Sequence, residues 1–177
     1  MRATSSLLLA FLFLAPVLSG NAATLRDLDD VQQAALADFV VVARVTGQRV
    51  EQHPRLDLPV TRTALQIEES LRGPAASELV LSQIGGTLGD VTVRVPGSPE
   101  LEVGRRYVLF LEEVEGDLVL VALERSVYRV DSSRFGDVLR RVGEHAVEAD
   151  KPVFTLKELR AQLAVSPGPT PGSEETP

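Results

Sequence analysis

The chain has 177 residues, no cysteine and a formal net charge of −7, with 25 acidic against 18 basic side chains. Without thiols it has no disulfide staples, no thiolate metal ligands and no cysteine nucleophile. The acidic balance and an aromatic content of 5% argue against nucleic acid as a partner, because phosphate backbones reward clustered Lys and Arg, and unpaired bases reward stacking rings.

Residues 1–22 have the pattern of a signal peptide. Arg2 and the amino terminus supply positive charge, Leu7 to Leu18 is almost wholly apolar, and Gly20 and Ala22 are small residues placed for cleavage after Ala22. The apolar run is short of the roughly 20 residues that span a bilayer, so no membrane span is expected. Leu18-Ser19-Gly20 resembles the start of a lipoprotein box, but Asn21 stands where the lipid-bearing cysteine would be, so no lipid anchor is expected either. The expected location is outside the cytoplasm, periplasmic or extracellular. The remaining chain is one domain's length, and such a domain buries roughly 68–70% of its unfolded surface.

A helix is predicted from Thr24 to about Asp38, capped by Thr24, with Leu28, Val31, Ala35 and Phe39 near helical spacing. The period then changes to two. Phe39–Val50 reads as a strand, and Gln52–Pro59 as a turn. In Val60–Leu71, Thr63, Leu65 and Ile67 oppose Arg62, Ala64, Gln66 and Glu68, giving one dry and one wet face. Arg72-Gly73-Pro74 stops that strand, and Leu79–Ile84 forms the next. A glycine-rich turn, Gly85 to Asp90, leads to alternating Val91, Val93 and Val95, and Pro96-Gly97-Ser98-Pro99 turns the chain again. Arg106–Glu112, apolar on both faces, has the pattern of a central strand. Glu115-Gly116-Asp117 offers a hairpin turn into Leu118–Leu123, and Ser126–Val130 is the last predicted strand.

Two closing helices are predicted. Phe135, Val138, Leu139 and Val142 form one apolar stripe, capped by Ser133 and followed by Gly143. The second carries a capping box, Thr155 with Glu158, and a hydrophobic staple is expected between Phe154 and Leu159. Residues 166–177, rich in Pro and Gly, read as a disordered tail. The domain therefore covers residues 23–165, mainly β with flanking helices: one at its amino end, two at its carboxyl end, and between them a small antiparallel barrel or sandwich.

Three stretches resemble the netrin-like module, the OB-fold domain of the tissue inhibitors of metalloproteinases: LADFVVVARV (Leu36–Val45), QIEESLRGP (Gln66–Pro74) and Leu101–Val130, with its Gly-containing approach to a Tyr-bearing strand and hairpin. The chain is also similar to exported bacterial proteins that combine a basic-Gly strand stop, a Gly-Gly turn and a Val-x-Gly-x-Pro loop. The resemblance implies an OB-like antiparallel β-barrel. In the inhibitors a cysteine at the mature amino terminus places its amine and carbonyl on the protease zinc, and disulfides fix that terminus. This chain has neither, so the inhibitors' chemistry loses its preorganisation.

Other chemistry is thinly represented. His53 and His145 are the only histidines, and Glu144, His145 and Glu148 fall short of a zinc ligand set. Gly85-Gly86-Thr87-Leu88-Gly89 lacks the Lys-Ser/Thr ending of a phosphate loop, and there is no Gly-x-Ser-x-Gly elbow. Asp131, Ser132 and Ser133 read as a cap, and the pairs Glu68-Glu69 and Glu112-Glu113 as residues on alternate faces. No catalytic residue, metal or cofactor is assigned. OB barrels bind through loops and one strand face, which makes Gly85, Gly86, Thr87, Gly89, Asp90, Pro96, Gly97, Ser98 and Pro99 the candidate binding residues. The expected function is a noncatalytic exported module for an extracytoplasmic protein partner, a protease among the candidates. The alternatives are metalloprotease inhibition and an unrecognised hydrolase.

Overall fold

A computed structural model describes residues 35–143 and 154–165. The predicted signal peptide, most of the predicted amino-terminal helix, the Glu144–His145–Glu148 group and the predicted tail lie outside the described residues. Ala35 and Leu36 are helical, and β1 begins at Phe39. The strands are β1 (Phe39–Gln52), β2 (Pro59–Arg72), β3 (Glu78–Ile84), β4 (Gly86–Leu88), β5 (Val91–Val93), β6 (Arg106–Val114), β7 (Asp117–Leu120), β8 (Val127–Ser133), β9 (Gly136–Arg141) and β10 (Phe154–Thr155). A 3-10 turn, Leu123–Ser126, precedes β8, and one helix, α1 (Leu156–Val165), follows β10.

β1 pairs antiparallel with β2 along its length, with register shifts at Val40/Val41, Val42/Ala43 and Val45/Gly47. Extra residues at such bulges bend a strand, so the first half of β1 also pairs with β6, from Phe39↔Leu111 to Arg44↔Arg106. The remaining neighbours are β2–β3, β3–β7 and β7–β6, and the pairings return on themselves in a ring, β1-β2-β3-β7-β6-β1. The β3–β7 contact departs from the all-antiparallel expectation: it is parallel, and it registers a single residue pair, Leu81↔Leu118. β8, β9 and β10 extend the sheet from the amino-terminal half of β6.

Alternation along β1 and β6 sorts their side chains into two cores. Val41, Ala43 and Val45 join Tyr107, Leu109 and Leu111 in one, with Leu65, Leu81 and Leu120. Val40 and Val42 join Val108 and Phe110 in the other, under Tyr128, Leu139, Leu156 and Leu159. Both strands are thus covered on both faces, as the apolar run in β6 predicted. Phe110, Tyr128 and Phe154 chain through the second core at centroid distances of 6.1 and 5.3 Å.

One predicted helix is instead a strand. Ser133 Oγ donates to Gly136 O at 2.7 Å and accepts from Phe135 N–H at 3.2 Å, closing a tight turn, and Gly136 has φ 112°. Residues 136–141 then pair with β8. Phe135, assigned to the helix's apolar stripe, is 84% exposed at the hairpin tip. Spacing of three and four fits Phe135, Val138, Leu139 and Val142 to a helix, but Leu139 is the only one of them fully buried, so the stripe was never one face. The second predicted helix is present, and its capping box is formed: Glu158 N–H donates to Thr155 Oγ1 at 3.2 Å and Thr155 N–H to Glu158 Oε2 at 2.7 Å. β7 ends at Leu120, earlier than expected, because the chain leaves the sheet for the 3-10 turn at Leu123, φ 50°.

Candidate functional site

On the outer face of the ring, Arg62 of β2, Ser82 of β3 and Asp117 of β7 lie side by side. Each sits one residue from an inward-facing neighbour (Thr63, Leu81, Leu118), so strand alternation alone turns them outwards. Arg62 Nη1 donates to both Ser82 Oγ and Asp117 Oδ1, and Ser82 Oγ donates to Asp117 Oδ1 at 3.2 Å. Arg62 Nε reaches Glu51 Oε1 at 3.0 Å, and Arg49 Nε reaches Glu51 Oε2 at 2.9 Å. The chain of charges therefore runs from β1 to β7 across the weakly paired β3–β7 seam.

The β1–β2 turn closes over one end of this chain. His53, 6% exposed, accepts on Nδ1 from the amides of Arg55 (3.2 Å) and Leu56 (3.1 Å), and Nε2–H donates to Asp117 Oδ2 at 3.1 Å. Two backbone donors on Nδ1 select the neutral tautomer protonated at Nε2. Arg55 reaches across to the β6–β7 turn, with Nη1 2.7 Å from Glu115 Oε2. The Arg62 guanidinium holds the Asp117 carboxyl far below the usual carboxylate range, against the opposing effect of burial, with His53 and Ser82 assisting. Asp117 in turn raises Arg62.

Chemically this is a locked assembly. Asp117 stands between the serine and the histidine, whereas a nucleophile–base–orienter relay needs the imidazole in the middle. Among the described residues Ser82 has no imidazole acceptor, and both His53 nitrogens are occupied.

Beside the assembly lies a cleft of about 520 Å³. Arg49, Glu51, Arg62, Ser82 and Asp117 form its polar wall, and Phe39, Leu79, Val80 and Leu118 its apolar wall, with Glu113 also lining it. Val80 is 45% exposed. None of these residues was singled out for binding from sequence. The signal was faint: His53 follows β1 by one residue, and an Arg, a Ser and an Asp on alternating strands become one site only when the register is known.

The residues predicted from sequence to bind lie elsewhere. Gly86 packs against Val50 and Thr61, Thr61 Oγ1 donates to Gly85 O at 2.9 Å, and Thr87 Oγ1 meets Thr92 Oγ1 at 3.0 Å across the β4–β5 hairpin. Thr87, Gly89 and Asp90 are exposed at its tip. In the second loop Pro99 is buried, Pro96 is exposed, Gly97 O accepts from Glu124 N–H at 2.9 Å, and Gln83 Nε2 donates to Ser98 Oγ (3.2 Å) and Pro99 O (3.1 Å). Both loops are tied to the Gln83–Gly85 end of β3, and neither lines the cleft. Ser132 and Asp131, read as a cap, belong to β8 and pair with charged neighbours: Ser132 Oγ donates to Asp137 Oδ1 at 2.9 Å, and Asp131 meets Arg140 at 3.0 Å. Glu68 joins Arg44 (2.9 Å) to Arg106 (2.7 Å), while Glu69 holds Arg160 of α1 at 2.6 Å, on alternate faces as expected.

Among the described residues no group of His, Cys, Asp and Glu is arranged to hold a metal ion, and no helix is long and apolar enough to cross a membrane. Comparison with protein-family models, with curated proteins and with solved structures finds no match to this chain.

Proposed function

We propose that this chain is a noncatalytic, OB-like binding module of the netrin-like kind, exported from the cytoplasm, that holds a protein partner at the β3–β7 seam. The observation that carries the reading is the ring of strands closed at that seam by the single pair Leu81↔Leu118, with the cleft beside it. The strand order β1-β2-β3-β7-β6-β1, with its one parallel contact, supports an OB-like barrel. OB barrels bind on an open strand face and its flanking loops. The leader-like residues 1–22 support export. The locked pairing of His53, Ser82 and Asp117 supports binding over hydrolysis, because none of the three offers a free nucleophile or base.

The test is affinity capture from an extracytoplasmic extract with the full chain and with Val80→Asp, which places a charge on the cleft's exposed apolar wall. The expected result is a saturable protein partner retained by the first and lost by the second. Finding no saturable partner, or one held equally by both, overturns the reading.

A further inference from the structure

We infer, on the basis of that reading, that the seam takes an extended, positively charged segment of a partner protein as an added strand on β3. The backbone supplies the first part of the case. Ile67 N–H donates to Ser77 O at 2.9 Å and Gly85 N–H to Pro59 O at 2.8 Å, and the register between them is continuous. Antiparallel alternation therefore turns the odd-numbered amides and carbonyls of β3 towards β2, and those of Glu78, Val80 and Ser82 towards the opposite edge. On that edge Leu118 is the sole registered partner among the described residues, opposite Leu81. In parallel geometry such a residue engages the carbonyl before Leu81 and the amide after it. The Val80 amide, at the cleft, and the backbone of Glu78 next to it then form an open strand edge.

Side chains specify the partner's chemistry. An added strand alternates its side chains, so every second one meets Leu79, Leu118 and Phe39 on the inward side of the cleft, and the others lie along the exposed Val80 on its outward side. The cleft's two arginines, Arg49 and Arg62, are already committed to Glu51 and Asp117. Glu113 on the cleft and Glu78 on the edge make no ion pair among the described residues. The charge left to a ligand is therefore negative, in a chain of net charge −7, and it complements Lys or Arg on a strand of alternating apolar and basic residues. Exposed strand edges recruit added strands through their unpaired backbone groups.

The test titrates the full chain with short synthetic peptides alternating Lys and Val, or Glu and Val, and with the Lys/Val peptide N-methylated at alternate amides. The readouts are affinity and the amide shifts and hydrogen exchange of Glu78 and Val80. The Lys/Val peptide should protect the Val80 amide and bind roughly tenfold more tightly than the Glu/Val peptide, and the N-methylated peptide should not bind. Glu113→Lys should invert the charge preference. Val80→Pro, which removes an edge donor without touching the β2 ladder, should weaken the Lys/Val peptide by at least the same factor. Equal binding of the two charges, or of the N-methylated peptide to the unaltered chain, overturns the inference; the latter comparison decides even if Val80→Pro fails to fold. Protection of Val80 that grows with protein concentration alone also overturns it and assigns the edge to a second copy. A captured partner lost with Val80→Asp but kept with Val80→Pro defeats the added strand and leaves the binding module standing.

Discussion

Arg62 of β2 and Asp117 of β7 are ion-paired across β3, with Ser82 between them, so a polar strap spans the place where backbone pairing is thinnest. Their side chains are 14% and 16% exposed, shielded enough for the pair to contribute to stability. Asp117 has a depressed folded-state pKa, so its contribution is fully present above the unfolded value of about 3.9 and is lost as pH falls below it. Asp117→Asn should cost about 2 kcal/mol at neutral pH and flatten the fall in stability between about pH 5 and 2. Urea unfolding of both proteins across that range checks this; parallel pH curves would show that the strap carries no linkage.

His53 should be the Nε2–H tautomer at neutral pH, since the Arg55 and Leu56 amides both point at Nδ1. Nitrogen chemical shifts of the ring distinguish the tautomers directly. His53→Phe should remove the acceptor and raise hydrogen exchange at Arg55 and Leu56, while exchange in β6 stays unchanged. An Nδ1–H ring would contradict the geometry.

Gly86 is held at φ 117° with Val50 Cγ1 and Thr61 Oγ1 each 2.9 Å from where a Cβ would sit, whereas Gly89, φ 57°, faces open space. Gly86→Ala should therefore cost about 2–3 kcal/mol and Gly89→Ala about 1 kcal/mol. Thermal unfolding gives the comparison. Equal losses would mean that backbone conformation alone matters there.

Thr155 caps α1, and Leu159 seats the helix in the core beside Phe110 and Tyr128. Thr155→Ala should cost about 1 kcal/mol, and Leu159→Ala about 3 kcal/mol, through the cavity left at a site 1% exposed. Denaturant midpoints for the two variants test the ranking, and a Leu159→Ala loss no larger than that of the cap would indicate that α1 is peripheral.

Much of the fold is local information. β1, β2, β3 and β6 are legible because period-two alternation and β-branched runs coincide with stop signals such as Arg72-Gly73-Pro74 and His53-Pro54. The two-residue turn at Glu115-Gly116 and the Thr155–Glu158 box are equally local, since each is completed within a few residues of chain. The stretch from Phe135 to Val142 reads as a helix because its apolar spacing fits one, and the pairing of Gly136–Arg141 with β8 overrides that local preference.

The absence of cysteine and the acidic balance belong to the sequence alone and bound the chemistry before any fold is known. The site belongs to tertiary structure. His53 and Asp117 are 64 residues apart, and Arg62 and Asp117 are 55 apart. No periodicity relates such distant positions. Register does, because the order β1-β2-β3-β7 puts one outward residue from each strand into a row, and a parallel contact one pair long leaves the neighbouring edge of β3 open.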